Sequence, residues 1–148
     1  MIIESLKSLY NRDLNKLKFE IESYQSEESI WKIDKNISNS AGNLCLHLVG
    51  NLNTYIGAEL GKTGYVRNRE LEFSLKNIPR TELIEKVEST IKMIDSTLDK
   101  LSNEDLEKDY PTEALGYKMT TGYFLIHLLS HLNYHLGQIN YHRRLLDI

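Results

Sequence analysis

Only one cysteine, two prolines and eight glycines occur in the 148 residues, and each scarcity narrows the field. A lone Cys45 cannot close an internal disulfide, which excludes a small disulfide-stapled scaffold and accords with a reducing compartment. So few helix breakers exclude a turn-rich sandwich or barrel. No segment approaches the roughly 18 consecutive apolar residues of a membrane span, and MIIESLKSLYNRD reaches an acid too early to build a signal-peptide core, so a cytoplasmic protein away from membranes is expected. Basic residues do not predominate either. Formal charge is minus three with both signs interspersed, and there is no basic stripe of the kind that follows a phosphate backbone, so nucleic acid is not expected as a partner.

What is present points to one folded domain spanning 1–148. Apolar residues make up 41% and charged residues 26%, enough for a core and too apolar for disorder. Ile3, Leu6, Tyr10, Leu14, Leu17, Ile21 and Tyr24 recur at threes and fours, predicting an amphipathic first helix. A second helix is predicted from about Ser40 to Leu60, stopped by Gly61 and Gly64. A third begins at Thr81 with Ile84, Val87, Ile91, Ile94, Leu98 and Leu101 on one face, and a fourth runs from a Thr120 or Thr121 cap to about Leu145. No strand alternation interrupts them, so the expected fold is an all-α four-helix bundle. The stretch from Lys62 to Arg80 shows no period, and its length of about 19 residues far exceeds the roughly 2 to 8 that join antiparallel neighbours. It permits a crossover between parallel helices two and three.

Four of the five histidines fall in HLLSHLNYHLGQINYH, residues 127–142. At about 100° per residue, His127, His131, His135, Gln138 and His142 occupy an arc of about 80°, beside the apolar arc of Leu128, Leu132, Leu136 and Ile139. His47 and Asn51 sit in the same way along the edge of the second helix. Imidazoles at i and i+4 project from one side of a helix and can bind one divalent ion, with a third from a facing helix completing a site. The competing reading is a set of solvated or hydrogen-bonded histidines, and spacing alone does not choose between His127 with His131 and His131 with His135.

HLLSHLNYHLGQI resembles the last-helix motif of the DinB/YfiT-like superfamily, in which HxxxHxGQ ends the metal-binding helix. NISNSAGNLCLHLVGNLNTYIGAELGKTGYVRNRELEF, residues 36–73, is similar to the second-helix segment of an uncharacterised DinB-like branch with HLxGN and RNRxxEF signatures. The two segments cover residues 36–73 and 127–139 of the chain. The resemblance implies an up-down-down-up bundle, a homodimer, and a divalent-metal site at His47, His131 and His135. His127 and His142 match no ligand of the family. Three neutral imidazoles with open positions suit zinc or nickel, then iron or manganese. By the same analogy the chemistry is a thiol-dependent S-transfer, with a low-molecular-weight thiol as cosubstrate, or a hydrolysis of a small molecule. A non-catalytic metal-binding or structural bundle is the alternative, because no carboxylate stands within the histidine motif.

Smaller expectations attach to other positions. Asn51 and Gln138 are candidates to orient the ligands. Arg67 and Arg69 are candidates to hold an anionic substrate, against salt bridges to Glu70 or Glu72 that pin the loop. Cys45 lies about 200° around the helix from His47 and is expected in the core. Gly137 is expected to allow close helix packing, and Tyr55, Tyr134 and Tyr141 to line a pocket or pack with a wet hydroxyl.

Overall fold

The computed structural model describes residues 2–148, which form an all-helical fold. Four long segments carry it: α1 (Ile2–Ser23), α2 (Ala41–Leu52), α4 (Arg80–Asp99) and α6 (Thr121–Leu146). Two short helices, α3 (Arg69–Ser74) and α5 (Asn103–Glu107), lie in the connections. Among the described residues the only ladder-type pairing is an isolated bridge between Asp109 and Thr120.

Each long helix buries an apolar stripe, and side chains cap the starts of two of them. Ser40 accepts from the Asn43 amide at the head of α2, and Thr120 accepts from the Tyr123 amide at the head of α6. α1 buries Leu6, Tyr10, Leu14, Leu17 and Ile21 against α4 and α6, while α2 packs on the other sides of the same two helices. Bonds between elements fix their directions. Lys7 pairs with Asp99 and Lys18 with Glu88, so α1 and α4 run antiparallel. Tyr10 donates to the Leu125 carbonyl and Asn140 to Glu20, so α1 and α6 run parallel. Asn53 reaches Thr90, and Thr97 lies against Gly61, so α2 and α4 also run parallel, joined by the long connection.

The second helix departs from its predicted course after Leu52. Residues Asn53–Ala58 form a π turn, with the Glu59 amide bonded to the Thr54 carbonyl at 3.2 Å and the Gly61 amide to the Ile56 carbonyl at 2.9 Å. The extra width lets Asn53 bond both Val49 and Thr90. α3 and α5 were not legible as periodic segments, being six and five residues long. Local side chains start them instead: Asn68 caps α3, and a reciprocal Ser102–Asp105 capping box starts α5.

Gly137 does not serve close packing. A Cβ there would meet open space, because the residue lies on the outer face of α6. The close approaches are at Gly42, where a Cβ would stand 2.6 Å from the Trp31 ring, and at Gly50, where it would collide with the Glu72 carboxylate.

Candidate metal centre

α2 and α6 bring His47, His131 and His135 together, with one nitrogen of each within 4.8 Å of the others. His131 and His135 are one turn apart on α6, and their Nε2 atoms are 3.1 Å apart. Nε2 of His47, arriving from the facing helix, is 3.2 Å from Nε2 of His131. Three nitrogens at the zinc–imidazole distance of about 2.0 to 2.1 Å from one centre would stand about 2.9 to 3.4 Å apart for angles between octahedral and tetrahedral. The two closest separations fall inside that interval and the third pair lies within 4.8 Å, so the donor set could hold a single divalent ion.

The opposite ring nitrogens explain why these faces converge. His47 Nδ1 lies 3.1 Å from Glu72 Oε1, so it donates there and its Nε2 lone pair turns inward. His135 Nδ1 lies 2.7 Å from Gln138 Oε1 and is fixed in the same tautomer. His131 Nδ1 is buried without a partner among the described residues. Burial first, then the neighbouring His135, His47, His127 and Arg67, lower the pKa of His131 to about 4. Burial also lowers His135, against an opposing bond from Gln138. Both imidazoles are thereby held in the neutral form that ligates.

Glu72 is positioned from three directions. Asn43, one turn before His47 on α2, donates 2.9 Å bonds to the carbonyls of Glu72 and Leu75, which docks α3 against α2. Gly50 leaves the space the carboxylate occupies. Arg67 clamps it with Nε at 2.8 Å from Oε2 and Nη2 at 3.0 Å from Oε1. Burial alone would raise the Glu72 carboxyl, but the bonds from His47 and Arg67 and the guanidinium charge outweigh it and keep its pKa below the ordinary range. In the sequence Glu72 is expected only in a loop-pinning salt bridge. It does pair with Arg67, and it also orients a member of the triad, 25 residues away in the chain.

The remaining site candidates divide. Gln138 touches His135, whereas Asn51 bonds no histidine of the cluster; it is buried, and its Oδ1 has no partner among the described residues. Arg67 is engaged with Glu72, while Arg69 stacks on Phe73 at 6.0 Å and pairs with no acid among the described residues. His127 is exposed, stacked on Phe124 at 5.9 Å, and forms no part of the cluster. His142 is a structural residue: its Nδ1 is 2.7 Å from the Tyr24 hydroxyl and its Nε2 is 2.9 Å from the Lys32 carbonyl. Cys45 is fully buried in the core, and burial pushes its thiol pKa up to about 12. Two cavities flank the triad. One of about 260 Å³ is lined by His47, His131, Asn51 and Tyr55. The other, about 450 Å³, is lined by His135, Gln138, Tyr134 and Tyr141.

Fold and site thus define an all-helical protein with a three-histidine cluster that could hold a metal ion. The chain belongs to the DUF1572 family, described as a protein of unknown function, whose match spans residues 3–147. No curated protein matches the sequence. Among the described residues no helix is long and apolar enough to cross a membrane.

Proposed function

We propose that this chain is a divalent-metal-binding protein of the DinB-like kind, and that its three-histidine centre serves a metal-dependent reaction on a small molecule. The observation that carries this reading is the convergence of three Nε2 atoms at 3.1 and 3.2 Å, two of them with tautomers fixed from behind. The helix directions support an up-down-down-up four-helix bundle, with α1 parallel to α6, α2 parallel to α4, and the long crossover between α2 and α4.

In this reading His47, His131 and His135 hold the ion, zinc or nickel before iron or manganese. Glu72 accepts the Nδ1 proton of His47 and Gln138 that of His135, so each ring presents its lone pair without rotating. Arg67 keeps Glu72 ionised, which strengthens His47 as a donor. When bound, such an ion supplies Lewis acidity that lowers the pKa of a coordinated water or thiol, as hydrolysis or S-transfer from a low-molecular-weight thiol requires. The flanking cavities give a small substrate two directions of approach.

A second reading, a metal-binding or structural bundle without catalysis, is favoured by one observation. Among the described residues neither flanking cavity is lined by a carboxylate, and Glu72 is committed to Arg67 and His47, so they offer no free carboxylate as proton acceptor there. A homodimer in the cytoplasm completes the proposal. Tyr123, Tyr134 and Tyr141 on α6 are half or more exposed and offer a second copy an aromatic surface.

Elemental analysis of protein purified without an affinity tag tests the reading. About one ion per chain is expected. Less than about a tenth of an ion, unchanged after incubation with zinc or nickel, rules the reading out. Turnover of electrophiles in the presence of thiols by the loaded protein then separates enzyme from scaffold.

A further inference from the structure

The cavity of about 260 Å³ beside His47 and His131 is asymmetric in charge. Arg67 and Arg69 line it and no acid does; His127, Leu115 and the edges of the otherwise buried Phe124 and Leu128 also line it. Arg67 spends Nε and Nη2 on Glu72, which leaves Nη1 without a partner among the described residues. The Arg69 guanidinium stacks on Phe73 and pairs with no acid among the described residues. Glu72 cancels one of the two cationic charges, so the wall keeps a net positive charge of one before any ion binds.

We propose that this cavity binds a small amphipathic anion, its carboxylate or phosphate held by Arg69 and the free edge of Arg67 and its apolar body laid against Leu115, Phe124 and Leu128. The volume sits just below the roughly 300 to 1,000 Å³ of pockets for drug-sized ligands, which limits the body to about one ring or a short branched chain. Arg69 supplies a charge that pairs with no acid among the described residues, and a planar guanidinium matches either anionic head with paired bonds. The proposal rests on the metal reading at one point only, in making this anion the substrate presented to the triad.

Calorimetric titration of the protein, as purified and after chelator treatment, tests it with phenylacetate, phenyl phosphate and the neutral 2-phenylethanol. Both anions should bind at least about tenfold more tightly than 2-phenylethanol, and Arg69→Gln should remove about tenfold of that affinity while leaving 2-phenylethanol unchanged. The tighter of the two anions identifies the head group. Anion binding that persists after chelation and depends on Arg69 upholds the pocket even if no metal is found. Equal affinity for the anions and the alcohol, or anion affinity indifferent to Arg69→Gln, overturns the pocket and leaves a metal-loaded triad standing.

Discussion

Glu72 Oε1 lies 3.1 Å from Nδ1 of His47, and both side chains are more than nine-tenths buried. An ionised carboxylate behind a histidine fixes the tautomer and makes the far nitrogen a better donor, and losing such a partner typically costs 10- to 100-fold in metal affinity. Glu72→Gln should therefore weaken zinc binding by about that factor, as read by competition with a chromophoric chelator. α3 itself should persist, since Asn43 holds it through backbone carbonyls. Unchanged affinity would remove Glu72 from the site.

Gly50 gives an independent route to the same carboxylate. Alanine favours a helix interior by up to about 1 kcal/mol over glycine, so Gly50→Ala improves α2 locally. Its Cβ nevertheless lands on the Glu72 carboxylate and must displace it. The expected outcome is weaker zinc binding in a variant that keeps all three histidines. A variant binding zinc as tightly as the parent would show that Glu72 moves without consequence.

His142 separates structure from ligation. Its two buried hydrogen bonds join α6 to Tyr24 and to the Lys32 carbonyl, so His142→Phe should cost about 1 to 3 kcal/mol of stability in a urea titration. Metal content should not change. Loss of metal in a fully folded His142→Phe protein would place His142 among the ligands.

Protonation should act in a defined window. Unfolded imidazoles titrate near 6.5, whereas burial lowers His131 to about 4 and also lowers His135. Between those values the unfolded chain takes up protons that the folded one refuses, so metal-free stability falls as pH drops from about 6.5 to about 4 and this contribution then levels. Urea midpoints should fall further for the wild type than for His131→Gln across that window; equal falls would mean that His131 is not protected. Ordinary imidazoles would release a metal below about pH 6, and burial moves the onset lower. Affinity that stays flat from pH 8 to well below 4 would contradict histidine ligation.

Cys45 should be inert in the folded protein. With its thiol pKa pushed up to about 12 and its side chain fully enclosed, Ellman's reagent should label it only after denaturant is added. Rapid labelling under native conditions would mean that the α2 core opens readily.

Much of this arrangement was legible in the residues, for identifiable reasons. The long helices announce themselves by repeats such as Leu6, Tyr10, Leu14 and Leu17, because a stripe buried along its length must recur every three or four positions. His131 and His135 are i and i+4, so helix geometry alone sets them side by side. His47 entered through its resemblance to a motif, since no local rule links residues 84 positions apart. Glu72 stood inside RNRELEF, but a six-residue helix has no period to read, and its approach to His47 depends on Asn43 and Gly50, whose tertiary roles are silent in sequence. Gly137 misled in the opposite direction. Helical glycine is ambiguous between close packing and an open surface, and here it faces the surface. The π turn after Leu52 goes with a cross-helix bond of Asn53 to Thr90 that no local pattern encodes.

The central claim is that His47, His131 and His135, and not His127, hold one divalent ion. Zinc titration of untagged wild-type, His131→Ala and His127→Ala proteins, followed calorimetrically at pH 7.5, tests it most directly. Wild type and His127→Ala should each bind about one ion per chain, with His131→Ala at least about 100-fold weaker. Equal loss in both variants, or undiminished binding by His131→Ala, would contradict the assignment.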